Sequence, residues 1–265
     1  MMRAGNEMLL SRLHLHAVLP ALEALSQLIP SARDAITGAN FALGLRVADG
    51  PSAMVTAVSG VLRVEPALAP SGGAVLHFFQ PRQLNAIFLQ RSAMPPLPVR
   101  GWLQLARLRP FLRLAKVLDS TLQPSEAALT DVEFRRNHLL LSFQVALRAV
   151  PIVAREDPLA RRALASTPPG LLVIRIPDLD FVAWLDWREG QLSSHLGEPA
   201  EPATTTVTIR DEETARLLLV AGIDPQAALG LGRVRVDGLI PLADGLDVLL
   251  HRVDAYLGAA ARTRS

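Results

Sequence analysis

The sequence predicts an α+β protein: two tandem copies of one module, each an antiparallel-rich sheet covered on one face by helices. Three observations carry this. Half of the 265 residues are apolar, enough to fill complete cores. Short β-rich runs alternate with amphipathic helical runs in the same order in each half. That order recurs at a constant shift of 131 residues: Asn6 falls on Asn137, Leu10 on Leu141, Pro20 on Pro151, Leu76 on Val207, Gly101 on Gly232, Pro110 on Pro241 and Leu118 on Leu249. A period this long is a domain duplication rather than a solenoid. The domains are expected at 1–123 and 132–265, with the boundary in Leu122 to Asp131, where Pro124 and Ser125 signal a new start.

Each module opens on an apolar helix, Met8 to Leu28 and then Leu139 to Arg155, which Pro20 and Pro151 are expected to kink or break. A short helix follows at Ser31 to Ile36, and again at Asp157 to Ala165, where Asp157-Pro158 is an N-cap with Pro at the first helical position. Strands come next. "FALGLRV" and "LLVIRIP" are β-rich, and "SAMVTAVSGVLRVE" and "FVAWLDWREGQLSSHL" read as hairpins around Gly-containing turns. "AVLHFF" and "TTVTIR" are alternating strands, each leading into a helix. In the second copy that helix is "DEETARLLLVAG", with Asp211 as N-cap, Glu212 and Glu213 in the first turn and Gly222 as stop. "IDPQAALGLG" forms a helical turn. "RVRVDG" is the last strand, Val234 and Val236 facing one way and the arginines the other. An amphipathic helix closes the module after Pro241.

With one apolar face per sheet, helices must cover it, and an apolar cleft can remain between them.

Composition excludes several chemistries. There is no cysteine, so disulfides, thiolate catalysis and cysteine metal sites are ruled out. Lys116 is the only lysine beside 26 arginines, the pattern of a GC-rich bacterial genome. Net charge is +2, and no nucleic-acid partner is called for. The N-terminus lacks a secretory signal, and "HLLLSFQVALRAVPIVA" reads as too short and too broken to span a bilayer. A cytoplasmic protein is expected.

Metal, cofactor and catalytic sites are not expected either. His14 and His16 lie two apart, about 200° around a helix, and cannot chelate together. Asp178, Asp180 and Asp186 read as solvated edge charges, and the acidic run from Asp211 as a helix start. "GLGRVRVDG" has neither dinucleotide-loop nor P-loop spacing.

The stretch 204–250, "TTTVTIRDEETARLLLVAGIDPQAALGLGRVRVDGLIPLADGLDVLL", resembles the sterol carrier protein type 2 domain. The resemblance rests on the acidic helix start, the apolar helix ending in Gly222, the Asp224-Pro225 turn with Ala228, and the strand from Gly232 to Gly238. The first copy departs from it, with Arg91 in place of Gly222, "SAMPPLPVRG" in place of the Asp-Pro turn and Arg107 in place of Gly238.

The resemblance implies a hydrophobic tunnel for sterols, fatty acyl chains or other lipids, without a catalytic residue. Candidate lining residues are Leu217, Leu218, Val220, Ile223, Leu229, Val234, Val236, Leu246 and Leu249. In the first copy they are Ile87, Phe88, Leu103, Leu105 and Leu118. The function expected is non-enzymatic lipid binding or transfer. The alternative is an accessory or scaffolding subunit presenting an apolar substrate, such as an isoprenoid quinone precursor, to partner enzymes.

A cationic stretch holds Arg100, Arg107, Arg109, Arg113 and Lys116, with Trp102 interleaved. It suits contact with anionic headgroups at a membrane surface, or arginines snorkelling over a packed helix. Residues 1–131 carry net +4 and residues 132–265 net −2. Docking of the copies on each other and a membrane-facing basic copy are both open.

Overall fold

The structure is a computed structural model and describes residues 4–67, 73–91, 94–101, 107–220 and 222–262. The chain divides into two compact units, Met1–Thr130 with Tyr256–Ser265, and Asp131–Ala255. Among the described residues each unit holds a five-stranded mixed sheet, and helices make the chain α+β.

The first unit begins with α1 (Ala4–Leu13), a π-helical segment (His14–Val18) and α2 (Ala21–Leu28). Leu9, Leu10, Leu13, Ala17, Ala21 and Leu25 recur at helical spacing and are all buried. Pro20 cannot donate to the ladder. Just before it the turn widens, and Leu19 N donates to His14 O at 2.9 Å. The helix is interrupted at Pro20, between the π-helical segment and α2, as expected.

After α3 (Pro30–Ile36) come β1 (Phe41–Val47), β2 (Ser52–Val58), β3 (Val61–Glu65), β4 (Ala74–Phe78), α4 (Pro81–Phe88), β5 (Leu97–Arg100) and α5 (Arg109–Leu122). The order across the sheet is β3-β2-β1-β4-β5. β1 and β4 are parallel and the other neighbours antiparallel. Phe41, Leu43, Leu45 and Val47 share one buried face with Ala53, Val55 and Ala57.

The second unit contains α6 (Val132–Glu156), α7 (Pro158–Ala165), β6 (Gly170–Ile176), β7 (Phe181–Arg188), β8 (Gln191–Leu196), β9 (Thr205–Ile209), α8 (Glu212–Leu219), α9 (Pro225–Gly230), β10 (Val234–Gly238) and the larger part of α10 (Ile240–Arg262), whose residues from Tyr256 on belong to the first unit. Its sheet runs β10-β9-β6-β7-β8, the same topology as the first. Both hairpins turn on paired left-handed residues, Ser59-Gly60 and Glu189-Gly190, which match the strand twist.

Four expectations are corrected. Pro151 does not break its helix: α6 runs unbroken for 25 residues. Val150 and Val153 beside it are fully buried, and this packing outweighs a proline penalty of about 3 kcal/mol. At that length α6 is also long and apolar enough to cross a bilayer, with 56% of its most apolar window buried inside the protein. Length therefore does not argue against a span; burial marks α6 as a core helix of this unit.

The second unit's sheet is not apolar on one face only. Leu172 and Ile174 are buried on one side of β6, and Leu171 and Val173 on the other. β6 is the central strand, and Val173 pairs with Trp184, whose indole stacks on His195 at 4.0 Å.

The constant shift also fails at the last strand. Leu76 and Val207 obey it, but their partners Pro98 and Val236 do not. Gly101 therefore stands in the place of Gly238 rather than Gly232. Both have positive φ, +68° and +115°, and a Cβ would meet the neighbouring strand, 2.8 Å from Ala74 Cα and 2.2 Å from Thr204 O. Only glycine fits such an approach. The shift does survive the unmatched Arg91: Arg91 N donates to Ala86 O and Gly222 N to Leu217 O, both at 2.8 Å.

Candidate functional site

In the second unit the apolar wall lies at the β9–β10 end of the sheet. Val207 pairs with Val236 and Ile209 with Val234, on the face that carries Leu172 and Ile174. Ile209 and Val234 are buried, but Val207 and Val236 are only half-buried. Residues at the sheet centre on the same face are sealed, Leu172 at 1% exposure and Ile174 at 4%.

The helices of this unit also leave apolar groups part-exposed. Leu217, Leu218 and Leu219 on α8 and Ile223 after it are half-buried, while Ala215 and Ala228 are fully covered. Leu246 and Leu249 are buried on α10, in one stripe with Leu242 and Val253. Val220 and Leu229 point outward, at 58% and 43% exposure, with Leu231, Leu239 and Ile240 also exposed.

The sequence reading missed Val207 and Leu219. The β-period of "TTVTIR" already puts Val207 in line with Ile209, so the signal was present.

Two further structural features hold α8 and α7 in place. Asp211 accepts from Thr214 N at 2.8 Å and from the Thr214 hydroxyl at 2.6 Å, and Arg210 lies at 2.7 Å. The Thr214 hydroxyl, then Arg210, hold its carboxyl down at about 2. Glu213 pairs with Arg216 and Glu212 with Arg135. This acidic run is a satisfied helix start. Asp157, 1% exposed, caps α7 through Leu159 N and Ala160 N and pairs with Arg252 at 2.6 Å.

The first unit's candidates separate. Leu118 is buried, Ile87 is 40% exposed, and Phe88 stacks on His14 at 4.7 Å. Leu103, Leu105 and Trp102 lie outside the described residues. His14 Nδ1 donates to Asn85 Oδ1 at 3.0 Å, and Asn85 donates to Glu7, so His14 belongs to a buried structural network. His16 donates to Ser52 O at 2.9 Å. Arg107, Arg109 and Arg113 come together around a pocket of about 580 Å³ with Gly38, Ala39, Asn40 and Pro110. Arg100 donates to Gly73 O at 3.3 Å, and Lys116 is exposed.

Among the described residues no group of three or more His, Asp or Glu is placed to hold a metal. Ser193 Oγ and His195 Nε2 lie 2.9 Å apart on exposed β8. Cross-strand Asp186 is held by Arg188 at 2.6 Å instead of orienting the imidazole. A Ser–His pair without an orienting third group lacks the geometry of an activated nucleophile.

No protein-family model matches the chain, and no curated protein matches it. Solved structures do. The ubiquinone synthesis protein UbiJ-SCP2 aligns at 16% identity and a TM-score of 0.33, over 42% of this chain and 94% of its own. The sterol carrier protein domain 2 of Helicoverpa armigera aligns at 18% identity and 0.34, over 45% and 88%. The sec-alkylsulfatase Pisa1 from Pseudomonas sp. aligns at 15% identity and 0.28, over 54% of this chain and 28% of its own. The chain is thus similar to sterol carrier protein 2 structures over stretches of somewhat under half its length.

Proposed function

We propose that the second unit binds one long apolar molecule, a lipid in class, against the wall formed by Val207, Val236, Leu217, Leu218 and Ile223, without catalysing a reaction on it. One observation carries this: the cross-strand pair Val207–Val236 is half-open beside the sealed central strand, where Leu172 and Ile174 on the same face are buried. Leaving apolar area in water costs about 25 cal/mol per Å², and an acyl or isoprenoid chain laid on the wall recovers it. Pockets of this lining discriminate by length and shape more than by polar contacts. The exposed rim of Val220, Leu229, Leu231, Leu239 and Ile240 supplies an apolar margin over which such a ligand enters or leaves. Whether the bound molecule is transferred between membranes or presented to a partner enzyme is a matter of where it is released.

Native mass spectrometry of the purified chain, followed by solvent extraction and lipid identification, tests the reading. About one apolar molecule per chain is expected, displaced in Leu218→Glu. A chain that is empty and takes up neither fluorescent fatty acids nor sterol analogues refutes it.

A further inference from the structure

The arginine-lined pocket of the first unit is separate from the apolar wall and independent of the lipid reading. We propose that it is a binding site for a phosphoryl group.

Its walls come from two segments. Gly38, Ala39 and Asn40 follow α3, and Arg107, Arg109, Pro110 and Arg113 open α5. The depression measures about 580 Å³ and is open to solvent, with Gly38, Asn40 and all three arginines exposed. Gly38 has φ +70° and open space where a Cβ would stand, so that side of the pocket is left wide.

Three guanidinium groups line the pocket. Among the described residues none of the three has a carboxylate partner or another hydrogen bond. In the second unit Arg135, Arg175, Arg188, Arg216, Arg235 and Arg252 sit within 3.0 Å of a carboxylate oxygen, whereas exposed Arg161 and Arg162 have no such pair among the described residues; what sets the first unit's three apart is that they line one depression together.

All three arginines are exposed, so solvent screens their mutual repulsion, but their placement still favours an anion. Arg109 and Arg113 are four apart on one helix face, where like charges repel. Arg109 opens a 14-residue helix and Arg113 lies in its second turn; the first turn carries no acidic residue, and Leu108 provides no side-chain cap. That end of a helix bears partial positive charge and prefers anions. Three cations near the N-terminal end of a helix, around an open depression and without counter-charges, suit an anion bound among them. A guanidinium fork fits two oxygens of one phosphoryl group, and a tetrahedral dianion engages two or three forks at once. Asn40 adds a carboxamide at the opposite wall. The same chemistry belongs to a phosphorylated metabolite and to a phospholipid headgroup.

Pyrophosphate is the first probe, read by calorimetry and by the shift in Tm of the full chain. The double variant Arg109→Gln/Arg113→Gln is compared with Arg161→Gln/Arg162→Gln, which removes equal charge from exposed α7 positions. Wild type and the α7 variant bind pyrophosphate. The pocket variant binds at least tenfold more weakly, while its Tm without anion is unchanged or higher. The second probe is sedimentation with phosphatidylcholine vesicles containing 30% phosphatidylglycerol, against pure phosphatidylcholine. Sedimentation that pyrophosphate reverses identifies a headgroup as the source. Pyrophosphate binding without sedimentation identifies a free phosphorylated ligand. The proposal falls if neither probe binds, if both double variants lose binding equally, or if phosphatidylglycerol vesicles bind but pyrophosphate does not compete.

Discussion

Val236→Phe separates an open apolar wall from a closed core by the sign of one measurement. The new side chain carries four more carbon atoms, worth about 0.8 kcal/mol each when fully buried. Val236 is half-buried on the helix-covered face, opposite Val207. A ring laid along a wall already open there buries roughly half its added surface, for a gain of about 1–1.5 kcal/mol. Aromatic residues also suit strand positions. For a unit of this size that raises Tm by about 3–6 °C in ligand-free protein. The same ring occupies the proposed binding surface, so uptake of a fluorescent fatty acid falls at least tenfold. If the space were already filled by packed side chains, the substitution would overpack it and cost about 1–3 kcal/mol, and Tm would fall. Thermal unfolding of delipidated protein with and without the probe gives both numbers. A lower Tm with unchanged uptake refutes the reasoning.

Three other substitutions probe the frame around the wall. Asp157→Ala removes the cap of α7 and its 2.6 Å pair with Arg252; a loss of about 2–3 kcal/mol is expected in urea unfolding, more than an ordinary cap. Asp211→Ala costs about 1 kcal/mol at pH 7. Because the Asp211 carboxyl is held at about 2 against an ordinary 3.8, its contribution is fully present above pH 4 and lost as pH falls through 2. The two proteins' unfolding curves should therefore converge only below pH 2. Gln144→Met goes the other way: Gln144 Oε1 is buried without a hydrogen-bond partner among the described residues, so replacing it with a thioether of similar length stabilises by about 1 kcal/mol.

How much of this was readable in advance depends on the range of each interaction. Asp157 and Asp211 are caps whose partners lie two or three residues away, so composition and spacing alone predict them. The hairpins are legible for the same reason, since Ser59-Gly60 and Glu189-Gly190 carry their turn geometry in the dipeptide. The apolar alternation along β9 and β10 places Val234 and Val236 on one face, as expected from the strand period. The same local signals misjudged Pro151, because the burial of Val150 and Val153 comes from distant parts of the chain. They also misjudged Gly101, whose role is set by the backbone of Ala74 across the sheet.

The sequence by itself determined the element types, their repeated order and the apolar stripes, because those follow from side-chain period and near-neighbour hydrogen bonds. Only the tertiary structure decided which stripe stays unsealed. It leaves Val207 and Val236 half-open while closing Leu172 and Ile174, and it brings Arg107, Arg109 and Arg113 to the loop at Gly38–Asn40. Cover over a strand and the closure of a pocket depend on segments tens of residues apart meeting in space, and no local pattern encodes how completely they meet.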